Sequence, residues 1–160
     1  MVSYYDHKTG QVPRPRILLN KQTSDAHDNP TLQVDDRGHL WVFSSAHGTG
    51  RPAYLHRSTR PWSIDEFERI LDTNFSYTQP WHVPGEGFLF LHTRYGGAKS
   101  AGLNAARCLF WMTSRDGRRW DRNGEGQWTS GDLYLNVGDR RGYRNFTENP
   151  HDEAQDESVV

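Results

Sequence analysis

The 160-residue chain contains eight histidines, and two of them stand where short strands should begin or end. His27 lies in Ala26-His27-Asp28-Asn29-Pro30, just before an alternating run, and His47 lies in Ser45-Ala46-His47-Gly48-Thr49-Gly50-Arg51, just after the next run. Further along, Tyr77 precedes a comparable run and Arg94 closes the one that follows it. Together these four groups suit one chemistry. Breaking a uronate-containing polysaccharide by β-elimination requires that the C6 carboxylate be neutralised, the C5 proton removed and the oxygen leaving C4 protonated. Arginine is always charged and grips a carboxylate in a bidentate fork. A neutral histidine suits proton abstraction, and a tyrosine hydroxyl can act as base or as acid. That chemistry needs no cofactor and no metal; a structural calcium or zinc ion is compatible with the sequence, though nothing in it indicates one. The competing reading of His27 and His47 is a pair of surface or loop-capping residues.

The elements that must hold these groups are short strands. Thr31-Leu32-Gln33-Val34, a turn at Asp35-Asp36-Arg37-Gly38, then His39-Leu40-Trp41-Val42-Phe43-Ser44, a Gly-rich loop and Ala53-Tyr54-Leu55-His56-Arg57-Ser58 read as a three-stranded antiparallel meander. The start of one strand and the end of its antiparallel neighbour share a rim, so His27 and His47 are expected side by side. The same grammar recurs in Gln79-Pro80-Trp81-His82-Val83, Pro84-Gly85-Glu86-Gly87, Phe88-Leu89-Phe90-Leu91-His92-Thr93 and Arg107-Cys108-Leu109-Phe110-Trp111-Met112-Thr113-Ser114. An internal repeat of roughly 50 residues built from short strands is the signature of propeller blades. A β-sandwich with two look-alike meanders is the alternative. The predicted fold is therefore all-β, a partial β-propeller over residues 1–121 with blades at about 27–61 and 75–121. Ser63-Ile64-Asp65-Glu66 after Pro61 fits a capping box, which predicts one or two helical turns packing Phe67 and Ile70 between the meanders.

Several of these stretches are similar to a known group. Thr113-Ser114-Arg115-Asp116-Gly117-Arg118-Arg119-Trp120 resembles a degenerate Asp-box, a hairpin turn of sialidase-type propellers in which Asp caps backbone N–H groups, Gly takes the strained position and Trp packs beneath. That motif is structural. His27-Asp28-Asn29-Pro30, the aromatic strand before His47, Ser76-Tyr77-Thr78-Gln79-Pro80 and His92-Thr93-Arg94-Tyr95-Gly96 resemble the amino-terminal blades of BNR-repeat propellers, the group that includes ulvan lyases. The resemblance covers about residues 1–120 and implies a seven-bladed, secreted enzyme of carbohydrate degradation, extracellular or periplasmic, with a polysaccharide as its partner. It implies His27 and Tyr77 as the proton-transfer pair, with His47 and Arg94 neutralising or orienting the uronate. Asn29, Arg51, Tyr95 and Arg107 complete the candidate substrate-binding set, solvated strand ends being the other reading of the two arginines. The sequence departs from the family's pattern after Tyr77, where Thr78-Gln79-Pro80 replaces the usual Pro-Gln, and in the loop after Arg94. A sialidase-like glycosidase and a non-catalytic glycan-binding propeller piece are the alternative functions. The acidic residues fall in turns and caps, which leaves no carboxylate pair for a conventional glycosidase.

Composition narrows the field further. Only 34% of the chain is hydrophobic while Trp, Tyr and Phe supply 12%, so the core should be small and aromatic. With 19 basic and 20 acidic residues the net charge is -1, which gives no electrostatic case for nucleic acid or an anionic membrane. A mean hydropathy of -0.91 and the lack of a long apolar run exclude a spanning helix. No secretory signal is read at Met1, and no protein partner is indicated. One cysteine, Cys108, excludes an internal disulfide. Residues 122–160 form a divergent segment, of which the polar, acid-rich 138–160 is expected to be disordered. Rings of this kind normally have four to eight blades, so the chain is expected to be the amino-terminal part of a larger propeller, a truncated one, poorly stable and inactive alone.

Overall fold

A computed structural model describes residues 1–47, 51–95 and 107–120. The divergent segment 122–160 and the expected disorder of 138–160 lie outside the described residues. Among the described residues, seven strands run in chain order: β1 (Pro30–Val34), β2 (Leu40–Ser44), β3 (Ala53–Ser58), β4 (Phe67–Thr73), β5 (Ser76–Val83), β6 (Gly87–Tyr95) and β7 (Arg107–Ser114). They form two antiparallel meanders, β1-β2-β3-β4 and β5-β6-β7. The all-β architecture read from the sequence is present, and the repeat is visible as two blades. The only helical element among the described residues is a three-residue 3-10 turn at Ala26–Asp28, so no helix there is long and apolar enough to cross a membrane.

One element differs from expectation. Ser63–Glu66 does not start a helix: Ser63 Oγ accepts the Asp65 N–H at 3.2 Å in a tight loop, and Phe67–Thr73 runs on as β4 against β3. The first sheet thus extends to Thr73. Its apolar spacing, Phe67, Ile70 and Leu71, imitates a helical face because the ladder slips at this point. His56 pairs with Arg69 and Leu55 with Leu71, so Ile70 is the extra residue of a bulge and strand alternation resets there. Pairing wins because an uncovered β3 would present a row of unmatched backbone groups.

The two sheets pack through aromatic rings. Trp41, Phe43, Leu55, Phe75, Phe88, Phe90 and Met112 are buried together, with Ile70, Leu71 and Trp120 against them. Trp41 meets Phe88 edge-on at 5.0 Å, Phe43 meets Phe90 at 4.8 Å and Phe75 meets Phe90 at 5.1 Å. Each fully buried ring contributes about 1.5–3 kcal/mol, and each offset or edge-on pair about 0.5–1.5 kcal/mol more. That is how so few apolar residues hold two sheets together. Side-chain bonds reinforce the seam where β1 faces β5. Thr31 Oγ1 donates to Thr78 Oγ1 at 3.0 Å, and Asp36 Oδ2 accepts the Gly85 N–H at 2.9 Å.

The turn after β7 behaves as its sequence implies. Asp116 Oδ1 accepts the N–H groups of Arg118 and Arg119 at 2.8 and 2.9 Å, Gly117 has φ +72°, and Trp120 Nε1 donates to the Gly117 carbonyl at 2.6 Å. The Trp120 ring then lies 6.0 Å from both Phe43 and Phe90. An analogous turn closes the first hairpin: Asp35 Oδ1 accepts from Arg37 and His39, and Oδ2 accepts Trp41 Nε1 at 2.9 Å.

Candidate active site

The site begins with a carboxylate that ties up the chain ahead of β1. Asp25 Oδ1 accepts the His27 N–H at 3.0 Å, and the Asp28 N–H reaches the Asp25 carbonyl at 3.1 Å, which makes the 3-10 turn. Asp28 faces inward with its side chain only 4% exposed. Its Oδ1 accepts the His47 N–H at 2.5 Å, and Arg51 and Lys21 lie 2.8 and 3.9 Å away. Partial burial of Lys21 lowers its pKa, and the Asp28 charge opposes that shift. Ser45 Oγ is within donating distance of the carbonyls of His27 and Asn29, at 3.1 and 2.9 Å. The turn before β1 is therefore clamped onto the residues after β2. This is the juxtaposition expected from antiparallel neighbours, now with its fastenings visible.

Those fastenings bring the two imidazoles into contact. His27 and His47 stack with ring centroids 4.3 Å apart and planes 19° from parallel. Asp25 reaches both: Oδ1 lies 2.6 Å from His27 Nδ1 and Oδ2 lies 2.8 Å from His47 Nδ1. The His27 backbone N–H, then the two imidazoles, hold the Asp25 carboxyl far below the usual carboxylate range, so it is charged at neutral pH.

Tyr77 comes from the other blade. The Ala46 N–H donates to the Phe75 carbonyl at 2.9 Å, and Ser76 Oγ donates to the Ala46 carbonyl, which joins the second sheet to the residue before His47. Register then slips between Ser76 and Gln79, and Tyr77 leaves the ladder with φ +51°. A left-handed conformation at a non-glycine residue costs on the order of 1–3 kcal/mol and tends to mark functional positions. Here it turns the phenol edge-on to both imidazoles, 5.6 Å from His27 and 6.1 Å from His47. His27, His47 and Tyr77 thus form one cluster. His27 is half exposed and Tyr77 is 37% exposed, so the cluster is a surface patch. A depression of about 770 Å³ lies elsewhere, along Val83, Phe88, Leu89, Ser114 and Trp120.

The remaining sequence candidates divide. Thr93 pairs with Ser76, so the next residue, Arg94, has its backbone at the same end of the second sheet as Tyr77. Arg94 pairs with Cys108, and Tyr95 with Arg107. Arg51 is engaged with Asp28, and Asn29 contributes its carbonyl to the Ser45 bond. His39 bonds the Ser58 carbonyl at 3.0 Å, and His92 is fully buried against Phe90 at the point of the second sheet where the register slips opposite Tyr77 and Thr78. Sequence reading missed Asp25 and Asp28 as the two carboxylates that build the site. Asp25 sits in coil with no strand period to frame it. The signal available was Asp25-x-His27, an N-cap residue two before the histidine.

Asp25, His27 and His47 place their ligand atoms within 4.8 Å of one another. A zinc ion would need both nitrogens at about 2.0–2.1 Å along their in-plane lone pairs. Two nearly parallel stacked rings do not converge on such a point, and each Nδ1 already meets its own oxygen at hydrogen-bond distance, so one ring would have to turn. Calcium would require about six to eight oxygens, and one carboxylate does not fit that need.

Two blade-like meanders packed face to face, with a polar cluster where their strand ends meet, define a propeller-type protein. The chain belongs to the BNR repeat-containing family, whose model matches residues 1–154. Among solved structures it is similar to an ulvan lyase of polysaccharide lyase family PL25 bound to -[GlcA(1-4)Rha3S]-, with 20% identity and TM-score 0.57 over 74% of this chain and 31% of that one. It is also similar to a second PL25 ulvan lyase structure, with 21% identity and TM-score 0.55 over 73% of this chain and 30% of that one. The chain thus spans about a third of the length of these neighbours. No curated protein matches the sequence.

Proposed function

We propose that this chain carries the catalytic rim of a polysaccharide lyase that cleaves a uronate-containing polymer by β-elimination, outside the cell or in the periplasm. The observation that carries the reading is the convergence of His27, His47 and Tyr77, drawn from two blades and held by strained backbone at Tyr77. Family membership and the glucuronate in the ligand of the neighbouring lyase support the same substrate class. In this reading Arg94 takes the uronate carboxylate, and His47, stacked on His27, orients the sugar. His27 removes the C5 proton, the C4–O bond breaks as a C4–C5 double bond forms, and Tyr77 gives a proton to the leaving oxygen. Neither water nor a redox partner enters, because the atoms balance within the polymer.

The test is a rise in ultraviolet absorbance from unsaturated uronate ends when a complete propeller carrying this segment meets ulvan or a related polymer. His27→Ala and Tyr77→Phe should each lower the rate by about 10²-fold or more, the usual worth of general acid–base catalysis. No rise with any uronate polymer, or a rise that survives both substitutions, rejects the reading. Reducing ends released without unsaturation select the hydrolase instead. Glycan affinity without turnover selects a binding module.

A further inference from the structure

We propose that Asp25 is the positioning residue of the histidine pair: one carboxylate accepts an Nδ1–H from each ring and holds both neutral imidazoles in the same tautomer, with the lone pair on Nε2. The catalytic consequence rests on the lyase reading above; the tautomeric assignment does not.

The argument starts from what a charged carboxylate can do. It accepts hydrogen bonds and cannot donate them, so a ring nitrogen 2.6 Å or 2.8 Å from its oxygens must carry the proton. Each oxygen serves a different ring, and neither ring competes for the other's acceptor. The carboxylate is itself fixed: Oδ1 also accepts the His27 N–H, and the Asp25 N–H donates to Thr23 Oγ1 at 3.0 Å. An imidazole held this way by a carboxylate at one nitrogen works as a base through the other. Stacking at 4.3 Å makes the arrangement cooperative, because turning one ring disturbs the face of its neighbour. A neutral histidine left to itself divides between two tautomers, and a base holding its lone pair on the wrong atom is idle.

A merely structural Asp25 would cap the 3-10 turn and nothing more, and Asp25→Asn separates the two roles. Asparagine caps as well as aspartate, but its amide offers the two rings one acceptor and one donor, so at most one ring can keep its Nδ1–H bond. Nitrogen-15 NMR of the imidazoles in the 160-residue chain, read on the alkaline limb of the titration, gives the tautomers directly. His27 and His47 should both be Nδ1-protonated, and in Asp25→Asn at least one should change to Nε2–H. With the uronate polymer that the protein cleaves, kcat of the variant should fall by up to about 10⁴-fold, the loss known for a carboxylate-oriented histidine, with KM changed about threefold or less. An Nε2–H ring in the unsubstituted protein overturns the proposal, and needs no variant to be seen. So do unchanged tautomers in Asp25→Asn, or a changed tautomer with full kcat. If the tautomers are as stated and no uronate polymer is cleaved, the lyase reading fails alone.

Discussion

Single carboxylates assemble this site, and their loss should be felt in specific ways. Asp28 is a buried charge answered by Arg51, Lys21 and the His47 N–H. Asp28→Ala strands those donors and should cost about 3–5 kcal/mol, read as a lowered midpoint in urea together with loss of the His27–His47 contact. Asp25 behaves differently because it is partly exposed. Its folded pKa lies below the unfolded value of about 3.9, so its stabilisation is complete above that value and is lost as pH falls toward the folded pKa. The unsubstituted protein should therefore lose melting temperature more steeply than Asp25→Asn between about pH 4 and pH 2, and parallel curves would contradict this. At this scale the sequence was half legible. Residue type and strand position singled out His27, His47 and Tyr77, because antiparallel pairing brings side chains at strand ends to a shared rim. The carboxylates beneath them were not, because capping and ion pairing depend on which loops touch.

Elements here are set by turns as much as by strands. Gly117 and Gly38 both have positive φ in hairpin turns, and both lie against an indole, yet their surroundings differ. A Cβ on Gly117 would come within 2.2 Å of the fully buried Trp41 ring, which cannot withdraw. A Cβ on Gly38 would meet Trp62, a ring 75% exposed and able to move. Gly117→Ala should cost about 3 kcal/mol or more and Gly38→Ala about 1 kcal/mol; chemical denaturation of the two variants compares them, and equal losses would refute the distinction. Most strands were readable because alternation and Gly-containing turns are local signals. The strand β4 was not. Its bulge at Ile70 gave an amphipathic helical spacing behind a capping-box pattern, and only the open edge of β3 decided between them.

For the molecule as a whole, the outer face of the second sheet is the exposed one. Trp81 pairs with Leu89, and both, with Val83, are 37–43% exposed. Trp41 and Phe90 are core, as aromatics within strands usually are, while Trp81 is not. An apolar sheet face of this kind invites association. The 160-residue chain studied alone should therefore self-associate in a concentration-dependent way in sedimentation velocity, and Trp81→Lys with Leu89→Lys should reduce it. A single monomeric species across the accessible concentrations would count against this. The seam between the two blades bears on the site in another way. The Ala46 amide bonds the Phe75 carbonyl across it, with His47 next to one partner and Tyr77 two residues beyond the other. Deuterium uptake at Ala46 is accordingly a clock for the cluster: each opening that lets this one proton exchange also separates the imidazoles from the phenol. The reciprocal of its protection factor therefore sets a lower limit on the fraction of time the cluster is dismantled.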